Sequence, residues 1–131
     1  MKGLMKGLLS IMVAGILLLN ACGEPVHKTV ADALAGSPGD FINIEVARID
    51  PFYGGVSYSS SNDQYAFAVY DIARDVIMVV VENKDIGFEP KDGDFVRIPQ
   101  GKLVKGINET FLVYIIAGKV EHTSAPTNWR E

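Results

Sequence analysis

The chain has little of what most catalytic sites are built from: one cysteine, one tryptophan and two histidines in 131 residues. A single thiol excludes an intramolecular disulfide and a thiolate-built metal centre. His27 and His122 flank the predicted domain rather than entering it, which leaves an imidazole site little to draw on. No Gly-x-Ser-x-Gly, His-Glu-x-x-His or phosphate-cradling glycine loop occurs. Asp92-Gly93-Asp94 is too short an acidic run for a calcium loop and suits a turn better. An enzyme is therefore not expected, and neither a cofactor nor a metal ligand is assigned. A cationic excess is also lacking, with twelve Lys and Arg against sixteen Asp and Glu, a formal charge of −4. The basic residues are spread singly from Lys28 through Arg48, Arg74 and Lys102 to Arg130. Polyanion binders gather such residues to release counterions, so nucleic acid is a disfavoured partner. No apolar run reaches the roughly 20 residues of a membrane-spanning helix.

What is present begins at the N-terminus. Lys2 and Lys6 precede a 12-residue apolar stretch, Leu8 to Leu19, in which Ser10 is the polar break. Leu19-Asn20-Ala21-Cys22 follows. This arrangement resembles the lipobox of bacterial lipoprotein signal peptides, an ordinary secretory signal with a chance cysteine being the alternative. The resemblance implies cleavage after Ala21, a diacylglyceryl thioether on Cys22 and acylation of the new amine. Two or three acyl chains anchor stably where one binds only marginally. Removal of residues 1–21 would leave 110 residues with ten basic and sixteen acidic side chains, a charge of −6. Gly23, where an Asp would favour inner-membrane retention, points to the outer membrane facing the periplasm if the source has two membranes.

Residues 22–28 read as a lipidated tether, 29–122 as one domain and 123–131 as a polar tail. Thr29 is a predicted helix N-cap ahead of Val30, Ala33 and Leu34, and Gly36-Ser37-Pro38-Gly39 ends that helix. Strand patterns follow. Ile42, Ile44 and Val46 alternate with Asn43, Glu45 and Ala47, and Tyr65, Phe67 and Val69 alternate with Ala66, Ala68 and Tyr70. Val76 to Val81 is apolar on both faces, as a covered strand requires. Gly93 to Lys105 is a strand bent near Pro99-Gln100-Gly101. Phe111 to Val120 is a last strand, with Ile115 expected in the core opposite Val79.

A short helix followed by five strands predicts an all-β fold, a small closed or nearly closed barrel. Residues 29–36, Ile42-Asn43-Ile44-Glu45-Val46, Gly93-Asp94-Phe95-Val96-Arg97-Ile98 and Ala117-Gly118-Lys119-Val120-Glu121 resemble the bacterial OB-fold exported proteins. The resemblance implies a five-stranded OB-fold-like Greek-key barrel preceded by a short N-terminal helix. In such barrels the loop between the first two strands borders the ligand face. Here that loop, Asp50 to Asp63, concentrates Phe52, Tyr53 and Tyr58 with four serines. Aromatics stack on sugar rings or bases, and hydroxyls supply adaptable hydrogen bonds; a hairpin that merely caps the barrel is the alternative. If the loop binds, its rings should project outward near the next long loop, around Ile107 and Asn108. The function expected is a non-catalytic, lipid-anchored module for an envelope protein or glycan; the alternative is an OB-fold nucleic-acid binder.

Overall fold

The computed structural model describes residues 26–106 and 112–130. Cys22 and Asn108 lie outside the described residues. The elements are β1 (Val26–His27), α1 (Val30–Leu34), β2 (Phe41–Asp50), β3 (Ser57–Ser59), β4 (Gln64–Tyr70), β5 (Val76–Glu82), β6 (Phe95–Lys105) and β7 (Val113–Thr123). Short 3-10 turns occupy Pro51–Tyr53 and Asn83–Asp85. Among the described residues no helix is long and apolar enough to cross a membrane.

Five strands close into an OB-like barrel. Antiparallel ladders join β2 to β6, β6 to β7 and β5 to β4, a parallel ladder joins β5 to β7, and β4 returns to β2 at Arg48–Asp50. β1 adds a short parallel pair to the start of β2, and β3 lies on β4. Period-two patterning places Phe67 and Val69 of β4, Ile77, Val79 and Val81 of β5, and Val113, Ile115 and Ala117 of β7 in one core. Val79 and Ile115 are direct neighbours across the parallel ladder, and both are fully buried.

β2 departs from its expected phase. Ile42 and Ile44 are buried, but Ala47 and Ile49 rather than Val46 continue the core. The pairing with β6 slips between Ile44 and Ala47. One extra residue in a bulge exchanges the two faces and sharpens the bend, which lets β2 serve both β6 and β4. The expected kink in β6 falls at the proline, with register shifts between Arg97 and Gln100 and between Gln100 and Gly101. Gly101 is needed for closure. A Cβ there would sit 2.8 Å from Ile42 Cγ1 and Cδ1 and 3.0 Å from Ile115 Cγ2.

Among the described residues α-helix is limited to the five residues of α1. Thr29 Oγ1 accepts the Asp32 N–H at 3.1 Å, and the Val30 N–H donates to buried Asp71 Oδ2 at 3.0 Å, which ties α1 across the barrel end. Val30 and Ala33 complete the core there.

Both histidines belong to the fold rather than flanking it. His27 lies in β1, and its Nε2 is 2.9 Å from Asp40 Oδ2. His122 lies inside β7, opposite Val96, because the first residues of β6 require partners that a strand ending at Val120 would not supply.

Candidate functional site

Asp50 ends β2 and starts the candidate loop. Its carboxylate accepts the Phe52 N–H at 2.8 Å and, with Pro51 in the first position, sets up the 3-10 turn Pro51–Tyr53. Gly54 and Gly55 then take φ of 89° and 70°, a left-handed pair that side chains other than glycine rarely adopt. Asp92, from the loop before β6, holds the far side: its Oδ1 accepts the Val56 N–H at 3.1 Å. A Cβ on Gly55 would meet the same carboxylate at 2.9 Å.

This framework treats the three aromatics of the loop differently. Phe52 is 90% exposed. It lines a groove of about 390 Å³ together with Arg48, Pro51, Tyr70, Asp92 and Gly93. The backbone of Tyr53 closes the 3-10 turn, and its side chain lies outside the described part of the structure. Tyr58 is half exposed, yet it is tied down: its ring centroid is 5.0 Å from that of Tyr65, and its hydroxyl donates to Asp63 Oδ1 at 2.5 Å. That hydrogen bond to a carboxylate raises the Tyr58 phenol above its ordinary value. Phe52 is thus presented to solvent, while Tyr58 also braces β3 against β4. Of the serines, Ser59 and Ser61 bond to each other, with their Oγ atoms 3.2 Å apart.

A second feature beside this groove was not legible in the loop. The Arg48 guanidinium lies 5.2 Å from the Phe95 ring centroid, and Arg48 Nε donates to the Gly93 carbonyl at 3.0 Å. Phe95 meets Trp129 edge-on at 4.9 Å, and Arg74 lies 5.1 Å from Trp129 and 5.3 Å from Tyr70. Arginines and aromatics therefore alternate along one wall, with the tail folded onto the barrel through Trp129. The Trp129 indole N–H is buried with no partner among the described residues. These side chains come from β2, β4, β6, a turn and the tail; apart from the local pair Tyr70 and Arg74, the long-range pairing of the barrel assembles them.

The arrangement suits recognition by stacking and hydrogen bonding. A further groove of about 560 Å³ runs between Lys84, Phe88, Lys119, Glu121 and His122, where the His122 ring stands edge-on to Phe88 at 5.1 Å. Among the described residues no group of three His, Cys, Asp or Glu side chains is placed to hold a metal ion.

No protein-family model matches the chain, and no curated protein matches it. Nine solved chains do match. One, described as "Structural mimicry for functional antagonism", superposes with a TM-score of 0.54 at 15% identity, over 77% of this chain and 46% of the other. Another, described as "Structure of murine DNA binding protein bound with ds DNA", gives 0.53 at 14% identity, over 77% of this chain and 51% of the other. The chain spans about half the length of these solved chains, and the likeness shows the fold.

Proposed function

We propose that the protein is a non-catalytic binding module of the bacterial envelope, anchored by lipid on Cys22. Its OB-like barrel presents the Asp50–Asp63 loop and the groove beside Phe52 to a protein or glycan partner. The observation that carries this is Phe52, 90% exposed at the rim of a groove whose other walls include Arg48, Tyr70 and Asp92. An exposed ring over a concavity with a guanidinium and a carboxylate offers a stacking surface and both kinds of hydrogen-bonding group. The test is crosslinking and capture from native envelopes with the lipidated full chain, wild type against Phe52→Ala. Partner recovery should fall with the variant while its melting temperature stays within a degree or two. Equal recovery at full occupancy refutes the assignment of the groove.

A second reading is favoured by the comparisons: an OB-fold nucleic-acid binder. One chain of similar fold was solved on double-stranded DNA. The alternation of Arg48, Phe95, Trp129, Arg74 and Tyr70 also has the cation-and-aromatic composition of single-strand platforms. The charge of −6 expected after leader removal weighs against it. Fluorescence anisotropy with single- and double-stranded oligonucleotides decides. Binding that weakens steeply with added salt supports the second reading, and no binding at low salt removes it.

A further inference from the structure

The direct pairings across one half of the barrel place a row of side chains on a single outer surface. Val26 pairs with Phe41, Phe41 with Lys102, and Lys102 with Ile116, so their side chains project to the same side of the sheet. Val26, Phe41 and Ile116 are 51%, 40% and 46% exposed. They flank a groove of about 500 Å³ floored by Gly101 and Gly118. The Lys102 ammonium stands 5.3 Å from the Phe41 ring centroid, a cation at the edge of an apolar surface. These positions are separate from the Phe52 groove: β2 begins at Phe41 and delivers the candidate loop at its other end, beyond Asp50.

The position of the row in the chain says what covers it. Val26 follows Cys22 by four residues, which reach at most about 14 Å when fully extended. We propose that this face, centred on Val26, Phe41 and Ile116 with Lys102 at its edge, rests on the membrane surface in which the acyl chains of Cys22 are inserted. The apolar side chains enter the headgroup boundary, and Lys102 meets anionic headgroups. The proposal rests on the lipid-anchor reading given above. A tether this short holds the face at a high effective concentration over the bilayer, so a contact too weak to recruit a free domain is populated once the lipid is in place. The docked orientation turns the Phe52 groove away from the bilayer and toward its partner.

The single native thiol makes the test direct. The lipidated full chain, carrying Phe41→Cys, Ile116→Cys or Phe52→Cys labelled with an environment-sensitive fluorophore, is reconstituted into phosphatidylethanolamine–phosphatidylglycerol vesicles. Labels at 41 and 116 should shift to the blue and be quenched several-fold more than the label at 52 by lipids bearing a nitroxide. Adding Ile116→Asp to the Phe41→Cys chain should return its label to water while the protein still floats with the vesicles. If the chain floats and all three labels report water, the docked face is refuted and the anchor stands. A chain that does not float loses the anchor, and the docked face with it. Labels at 41 and 116 that are shielded without vesicles, or shielded but not quenched by lipid, show a second copy or a protein on this face and overturn the proposal.

Discussion

Ile115→Ala is the most informative perturbation of the barrel, because its neighbour in sequence supplies the control. Ile115 is fully buried, paired with Val79 on one side and Leu103 on the other, both also fully buried. Ile116, one residue on, is 46% exposed. Truncating Ile115 removes three carbons, worth about 2.4 kcal/mol at roughly 0.8 kcal/mol for each buried methylene. The cavity adds to this, because a closed barrel with neighbours on both ladders collapses only partly, and a total of about 3–5 kcal/mol follows. Domains of this size have about 5–15 kcal/mol in all, so the variant keeps the fold at a much lower melting temperature, about 10–20 °C down. Ile116→Ala should cost no more than about 0.5 kcal/mol, as solvent-facing substitutions do. Circular dichroism melts measure both. Adding Val79→Ala to Ile115→Ala enlarges one shared cavity, so the two costs should fail to add. Equal losses at 115 and 116 would refute the phase assigned to β7.

Three further outcomes follow. Asp40 is held below its ordinary value of 3.8, first by the hydrogen bond with His27 and then by the Ser37 N–H. A lowered folded value means that ionised Asp40 favours the fold above 3.8 and that this contribution is lost as pH falls through the lowered value. Asp40→Asn should therefore melt below wild type at neutral pH, with the gap closing in acid; a gap independent of pH speaks against the pair. Gly55→Ala combines a φ of 70° with a 2.9 Å approach to Asp92, so it should disturb the candidate loop and lower partner capture, and unchanged capture would show that the loop geometry is immaterial. Cys22→Ser should abolish incorporation of labelled fatty acid and release the chain from membranes; continued labelling would refute the lipobox.

Strand positions were legible wherever one residue in two had to be buried. Phe67 and Val69, or Ile77, Val79 and Val81, carry that pattern in a short window. The bulge between Ile44 and Ala47 was not legible, because a phase slip of one residue leaves both Val46 and Ala47 plausible as core residues. What settles it is the demand that β2 bend from β6 to β4, a property of the closed barrel. Pro99 did announce its bulge, since it lacks the N–H that an unbroken ladder needs. His27 is not legible as part of the sheet, because a two-residue strand such as β1 has no period to detect, and the reach of β7 to His122 is hidden because its apolar run stops at Val120. Of the candidate site, the loop and the exposure of Phe52 were accessible from composition and turn chemistry. The wall of Arg48, Phe95, Trp129, Arg74 and Tyr70 was not, because only Tyr70 and Arg74 are near each other in sequence and the other three reach them through the pairing of distant strands.

The parallel ladder between β5 and β7 carries a consequence for the order in which this chain acquires its structure. β5 and β6 are consecutive strands, yet they lie apart, and the strand that joins them is the last one. A growing or translocating chain that has not delivered Val113–Thr123 holds one open sheet, β6-β2-β4-β5, with unpaired edges at β5 and β6. Pairings this distant in sequence make for slow folding, because much of the chain must be ordered before the contacts that reward it can form. If the proposed export holds, the domain would cross as unfolded chain almost to its end. A truncation that removes β7 would expose two adhesive edges rather than a smaller barrel.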